Sequence, residues 1–159
     1  MKGSALYGEA RIMLESKRID MRSLIKTNKR WEMIKMKFVY ATISVKNLDK
    51  SLTFYRDLIG LPENRRFKAG PDTEIVFLGS GETEVELIYN TKQNAVSFGR
   101  DISLGFETSS LDETLKLMKE NNVETGEVFS PAPGVRMFFV SDPNGLRIQF
   151  VEYSGEAAR

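Results

Sequence analysis

The sequence predicts an α+β fold: two tandem βαβββ units whose curved mixed sheets form a half-barrel around a central cavity. Three observations predict it. Short stretches alternate apolar and polar residues with the period of two that a half-buried strand requires. Two longer stretches space their apolar residues at helical intervals behind a capping residue. The strand–helix–strand order then occurs twice, with matching positions 63 residues apart. Leu48-Asp49-Lys50-Ser51-Leu52 answers Leu111-Asp112-Glu113-Thr114-Leu115, Tyr40 answers Ser103, and Glu86 answers Gln149.

In order, "FVYATISV" (38–45) reads as a strand. "NLDKSLTFYRDLIGL" (47–61) reads as a helix, opened by Asn47 or Asp49 and stopped by Gly60. Strands follow at 64–69, 73–79 and 83–90, the last two joined by a turn at Gly79–Gly81. The second unit repeats this with a strand at 102–108, a helix at 110–122 and strands at 123–129, 135–141 and 146–153. "DPNG" (142–145) is turn chemistry, and "SPAPGVR" (130–136) reads as a loop edging the cavity. The repeats span 37–90 and 100–153 within a domain of residues 36–159.

Residues 1–35 read as a basic N-terminal extension, weakly helical or disordered, without the apolar core of a signal peptide. They hold 9 Lys+Arg against 4 Asp+Glu, whereas residues 36–159 hold 14 against 18. A mildly acidic body argues against a nucleic-acid partner, and no apolar run suits a membrane span. Zero cysteine fits a cytoplasmic protein and excludes thiolate chemistry. Zero histidine removes the commonest metal ligand and the usual neutral-pH base.

Alternation sorts the strand residues. Val39, Ala41, Ile43 and Val45 belong under the helix, so Tyr40, Thr42 and Ser44 face the cavity. Val85, Leu87 and Tyr89 take the helix side, and Glu84, Glu86, Ile88 and Asn90 the other. Ser103, Gly105 and Glu107, with Arg147, Gln149 and Val151, face inward from the second unit. Phe38, Phe54, Tyr55, Phe77, Phe106, Phe138, Phe139 and Phe150 mostly fall where a core needs them.

With "ISVKNLDKSLTFYRDLIGL", "VELIYN" and "DPNGLRIQFVEY" in this duplicated setting, Met36 to Tyr153 resembles the vicinal oxygen chelate superfamily, the glyoxalase I and bleomycin-resistance group. The resemblance implies the glyoxalase/bleomycin-resistance fold, commonly as a homodimer. It also implies four metal-ligand positions, which fall on Tyr40, Glu86, Ser103 and Gln149. Only Glu86 keeps a ligand of the usual kind. One carboxylate, one amide, a phenol and a hydroxyl carry too little charge for firm binding.

No cofactor is therefore expected, a divalent metal such as Ni or Zn being the alternative. The expectation is a glyoxalase-like protein binding a small organic molecule, with Glu86 as catalytic base or recognition group and Tyr40, Ser103, Gln149 and Arg147 as ligand-binding residues. Glu86 closing the site by accepting from Tyr40 and Gln149 is the bland alternative. A pairing of Arg147 with Glu84 competes with a clamp on an anionic ligand. A lyase or isomerase of the lactoylglutathione lyase type, using Glu86 with a non-standard metal site, is the alternative function, so whether the protein is an enzyme stays open.

Overall fold

The structure, a computed structural model, describes residues 36–155, and the reading of residues 1–35 lies outside them. The first unit runs β1 (Tyr40–Val45), α1 (Leu48–Leu52), a π-helical segment (Thr53–Leu58), β2 (Glu63–Lys68), β3 (Thr73–Leu78) and β4 (Glu84–Asn90). The second runs β5 (Ser103–Glu107), α2 (Leu111–Glu120), β6 (Phe129–Ala132), β7 (Val135–Ser141) and β8 (Arg147–Tyr153). Each unit makes its own four-stranded sheet, ordered β1-β4-β3-β2 and β5-β8-β7-β6. In each the first and last strands pair in parallel and the rest antiparallel. The βαβββ duplication is thus present in the fold.

Local chemistry explains the helices. Asn47 is extended and its side chain accepts from Lys50 N at 2.9 Å, capping α1. Beyond Leu52 the helix loosens to i→i+5 bonds, Ile59 N donating to Phe54 O at 2.9 Å, and Gly60 ends it at φ +90°. Ser110 caps α2 by accepting from Glu113 N, and Glu152 adds a second acceptor to the same terminus, 2.6 Å from Leu111 N.

Three expectations are corrected. Of the strand expected at 123–129, residues 123–128 form none: they contribute one bridge, Thr125 to Val140, and the strand begins at Phe129 and runs to Ala132. Part of the expected loop 130–136 is therefore strand β6 and the turn into β7. Phe38 and Val39 precede β1 and are 68% and 46% exposed, so neither lies under a helix. The 63-residue offset holds for β1, α1 and β4, but β2 and β3 match β6 and β7 at 62. Phe77 stands opposite Glu86, and Phe139 opposite Gln149. The connection from Phe139 round to its partner Gln149 is one residue longer than that from Phe77 to Glu86, which restores 63.

That longer connection has a structural task. Asp142 Oδ1 accepts from the backbone of Asn144 and Leu146, both at 2.8 Å, folding the turn on itself, with Gly145 at φ +91°. Asp142 Oδ2 accepts from Tyr55 Oη of the first unit at 2.9 Å. Asn144 reaches the same unit twice, taking Lys46 N at 2.9 Å and giving to Ser51 Oγ at 3.0 Å. Asp142, Asn144, Ser51 and Tyr55 are all buried. The turn is a polar latch between the two units, and every buried polar side-chain atom among the described residues is satisfied.

Around the latch lies one apolar core. It takes Ile43, Val45, Val76, Leu78, Val85 and Leu87 from the first sheet and Phe138, Val140, Ile148 and Phe150 from the second. Leu48, Leu52, Phe54, Leu111 and Met118 come from the helical segments. The helix-facing sides of both sheets feed this one core. The opposite sides, those read from the sequence as cavity walls, point away from it.

Candidate functional site

On the first sheet Thr42 stands opposite Glu86, and Tyr40 opposite Glu84. Glu86 is 8% exposed, and its Oε2 accepts a short hydrogen bond from Thr42 Oγ1. The partner is thus Thr42, not Tyr40 or Gln149 as the bland alternative had it: parallel pairing puts residue 42 in register with 86. Tyr40 sets its ring edge-on against Phe77 with centroids 5.4 Å apart.

On the second sheet Ser103 stands opposite Arg147, and Gly105 opposite Gln149. The structure brings Ser103, Arg147 and Gln149 together on one patch, and Tyr40 and Glu86 on another. Among the described residues no hydrogen bond links the two patches. Gly105 occupies the place that Thr42 has in the first unit, so Gln149 lacks the hydroxyl neighbour that Glu86 enjoys. A side-chain carbon at Gly105 would meet nothing within 4 Å.

The pairing of Arg147 with Glu84 does not form. Glu84 is taken by Arg65 Nη2 at 3.0 Å and by Asn64 Nδ2 at 2.6 Å, both from the neighbourhood of β2. Arg147 sits over an aromatic ring, its guanidinium carbon 3.7 Å from the Phe139 centroid. Arg65 does the same on Phe77 at 3.6 Å.

These rings form a feature that alternation did not single out. Phe67 stacks beside Phe77 with centroids 6.3 Å apart and 19° between planes. Phe129 stacks beside Phe139 at 5.9 Å and 22°. Each outward sheet face thus carries a two-phenylalanine platform under an arginine. Phe67 and Phe129 are 47% and 43% exposed, an unusual position for large rings unless something covers them. A sequence signal existed, since both pairs recur at an offset of 62. Beside the second platform a groove of about 500 Å³ is lined by Phe98, Arg100, Glu124, Phe139, Ser141 and Arg147.

The four candidate positions make a thin donor set for a divalent metal. Of the four candidate positions only Glu86 is a carboxylate, and one of its oxygens is engaged by Thr42. Among the described residues no group of three or more Asp, Glu, His or Cys gathers to hold a cation. No helix among them is long and apolar enough to cross a membrane.

Comparison with known proteins places this geometry. The chain is 28% identical over 131 residues to a lactoylglutathione lyase of Haemophilus influenzae, covering 74% of this chain and 93% of that one. A lactoylglutathione lyase of Neisseria meningitidis is 27% identical, covering 74% and 91%. Among solved structures, the trypanothione-dependent glyoxalase I of Leishmania major superposes with a TM-score of 0.65 at 25% identity, covering 74% of this chain and 87% of that one. A glyoxalase family protein of Bacillus cereus gives 0.65 at 20% identity, covering 77% and 96%. A model of the Glyoxalase/Bleomycin resistance protein/Dioxygenase superfamily matches residues 37–150, most of the chain and both βαβββ units, and the chain belongs to that superfamily.

Proposed function

We propose that this protein is a metal-free binding member of the superfamily, holding a small organic molecule against the outward faces of its sheets. The donor set carries the reading. Where a metal site would need several anionic or imidazole ligands, this chain offers Tyr40, Ser103, Gln149 and one carboxylate already engaged by Thr42. What remains is suited to an organic guest: exposed ring faces for a flat body, with hydroxyls, an amide and a guanidinium for its polar groups. Glu86 serves as a recognition group.

A second copy of the chain completes the site. Both outward faces carry the same platform, so the first sheet of one protomer can lie over the second sheet of its partner, twice, about a two-fold axis. The ligand then sits between Tyr40 and Glu86 of one protomer and the Ser103–Arg147–Gln149 patch of the other. With zero cysteine, we assign the protein to the cytoplasm.

Similarity to lactoylglutathione lyases favours a second reading, a lyase or isomerase using Glu86 with a metal in a non-standard site. One pair of measurements separates the two. Elemental analysis after loading with Ni, Zn, Mn and Fe is expected to find no stoichiometric metal; uptake that Glu86→Gln abolishes would establish the second reading. A thermal-shift screen with flat aromatic molecules is expected to give saturable stabilisation, about 2.7 kcal/mol at a ligand concentration 100 times Kd.

A further inference from the structure

We infer that the second-sheet platform selects its guest by charge, and that the ligand is a planar aromatic carboxylate held by Arg147. This rests on the small-molecule reading above and names the chemical class. At the two platforms the duplication departs from symmetry. Glu84 and Arg147 occupy equivalent places, each opposite the first residue of its unit's first strand, Tyr40 and Ser103. On the first sheet the platform arginine, Arg65, is neutralised by Glu84 at 3.0 Å. On the second the equivalent of that glutamate is itself the arginine, and among the described residues Arg147 makes no ion pair.

Arg147 is nevertheless held in place. Its guanidinium carbon sits 3.7 Å from the centroid of the Phe139 ring, and among the described residues no hydrogen bond or ion pair takes its N–H edge. Such an edge matches a carboxylate with two parallel hydrogen bonds, where a lysine would offer only a point charge. Arg100, also without an ion pair among the described residues, lines the same groove and adds to its positive potential; Glu124 is the one acidic residue among the described residues that line it. Phe129, stacked beside Phe139 and 43% exposed, offers a ring face for the guest's aromatic body. Ser103 and Gln149 flank Arg147 with further hydrogen-bonding groups.

The test uses the full chain and three fluorescent probes of one shape: 1-naphthoate, neutral 1-naphthylmethanol and cationic 1-naphthylmethylammonium. Fluorescence titration is expected to show naphthoate binding at least about tenfold tighter than the alcohol, a preference worth about 1.4 kcal/mol, with the ammonium weakest. Arg147→Gln should erase the preference, so that naphthoate and the alcohol bind alike. Arg147→Lys should recover part of it, and Arg65→Gln should preserve it. Equal binding of all three probes, or a preference surviving in Arg147→Gln, overturns the charge selection and leaves the small-molecule reading standing. Failure of all three probes, together with a silent thermal-shift screen, overturns both.

Discussion

At Tyr55 a single hydroxyl joins the two halves of the molecule. The ring is fully buried and its Oη donates to Asp142 at 2.9 Å. Burial pushes this phenol far above its ordinary value of 10.0, and the neighbouring Asp142 carboxylate pushes it further, so the folded state keeps it protonated. A raised folded value means that the contribution is present in full below pH 10. It is lost as the pH climbs above 10 towards the folded value, because the unfolded chain then releases a proton that the folded one retains. Urea midpoints between pH 9 and 11 should therefore fall more steeply for the wild type than for Tyr55→Phe. At pH 7 the same substitution should cost about 1.5–3 kcal/mol, the range for a hydrogen bond to a charged group. A parallel decline in both proteins would remove Tyr55 from the account. None of this was legible beforehand: helical spacing marked Tyr55 as buried, but not that a loop 87 residues later would supply its acceptor.

At the scale of elements, the sequence revealed what depends on near neighbours and missed what depends on distant ones. Caps and stops are local, so Asn47 and Gly60 could be read directly, and Asn47→Ala should lower stability by about 1 kcal/mol in equilibrium denaturation. The β7 strand, residues 135–141, was readable because its alternation is set by burial on one side. Residues 123–128 carry strand-like composition, yet meet β7 through the Thr125 bridge and a hydrogen bond from Gly126 N to Phe139 O, too little to make a ladder. The π-helical loosening after Leu52 and the replacement of the expected Arg147–Glu84 pair by Arg65–Glu84 share one cause. Both depend on which chain segment arrives alongside, and a single sequence states that only through pattern. The latch follows the same rule. Asn144→Ala should cost more than the cap substitution, because it strips hydrogen bonds from both Lys46 N and Ser51 Oγ and leaves buried Ser51 without that partner. A smaller loss than for Asn47→Ala would mean that water replaces both bonds.

For the molecule as a whole, duplication was the most legible property, and the direction in which the two halves face was the least. Alternation separated most helix-side residues from the rest: Ile43, Val85 and Leu87 entered the core and Tyr40 and Ser103 did not, but Val39 stayed outside it. It could not say whether the remaining faces would meet within one chain. Both sheets spend their helix sides on one shared core, which turns the platforms outward and leaves Phe67 and Phe129 half exposed. Rings so placed are covered at low cost by a matching pair on another copy, and the repeated platform gives each face a partner of its own kind. The expected species in sedimentation velocity at micromolar concentration is therefore a dimer, with twice the 18.1 kDa mass of the chain. Phe67→Glu should split it, since a carboxylate set beside Phe77 would be desolvated on assembly. Because Phe67 touches solvent already, the same change should leave the thermal midpoint of the separated chain within a few degrees of the wild type. A wild-type chain that sediments as a monomer, with both platforms open to water, would show that the guest alone must cover them.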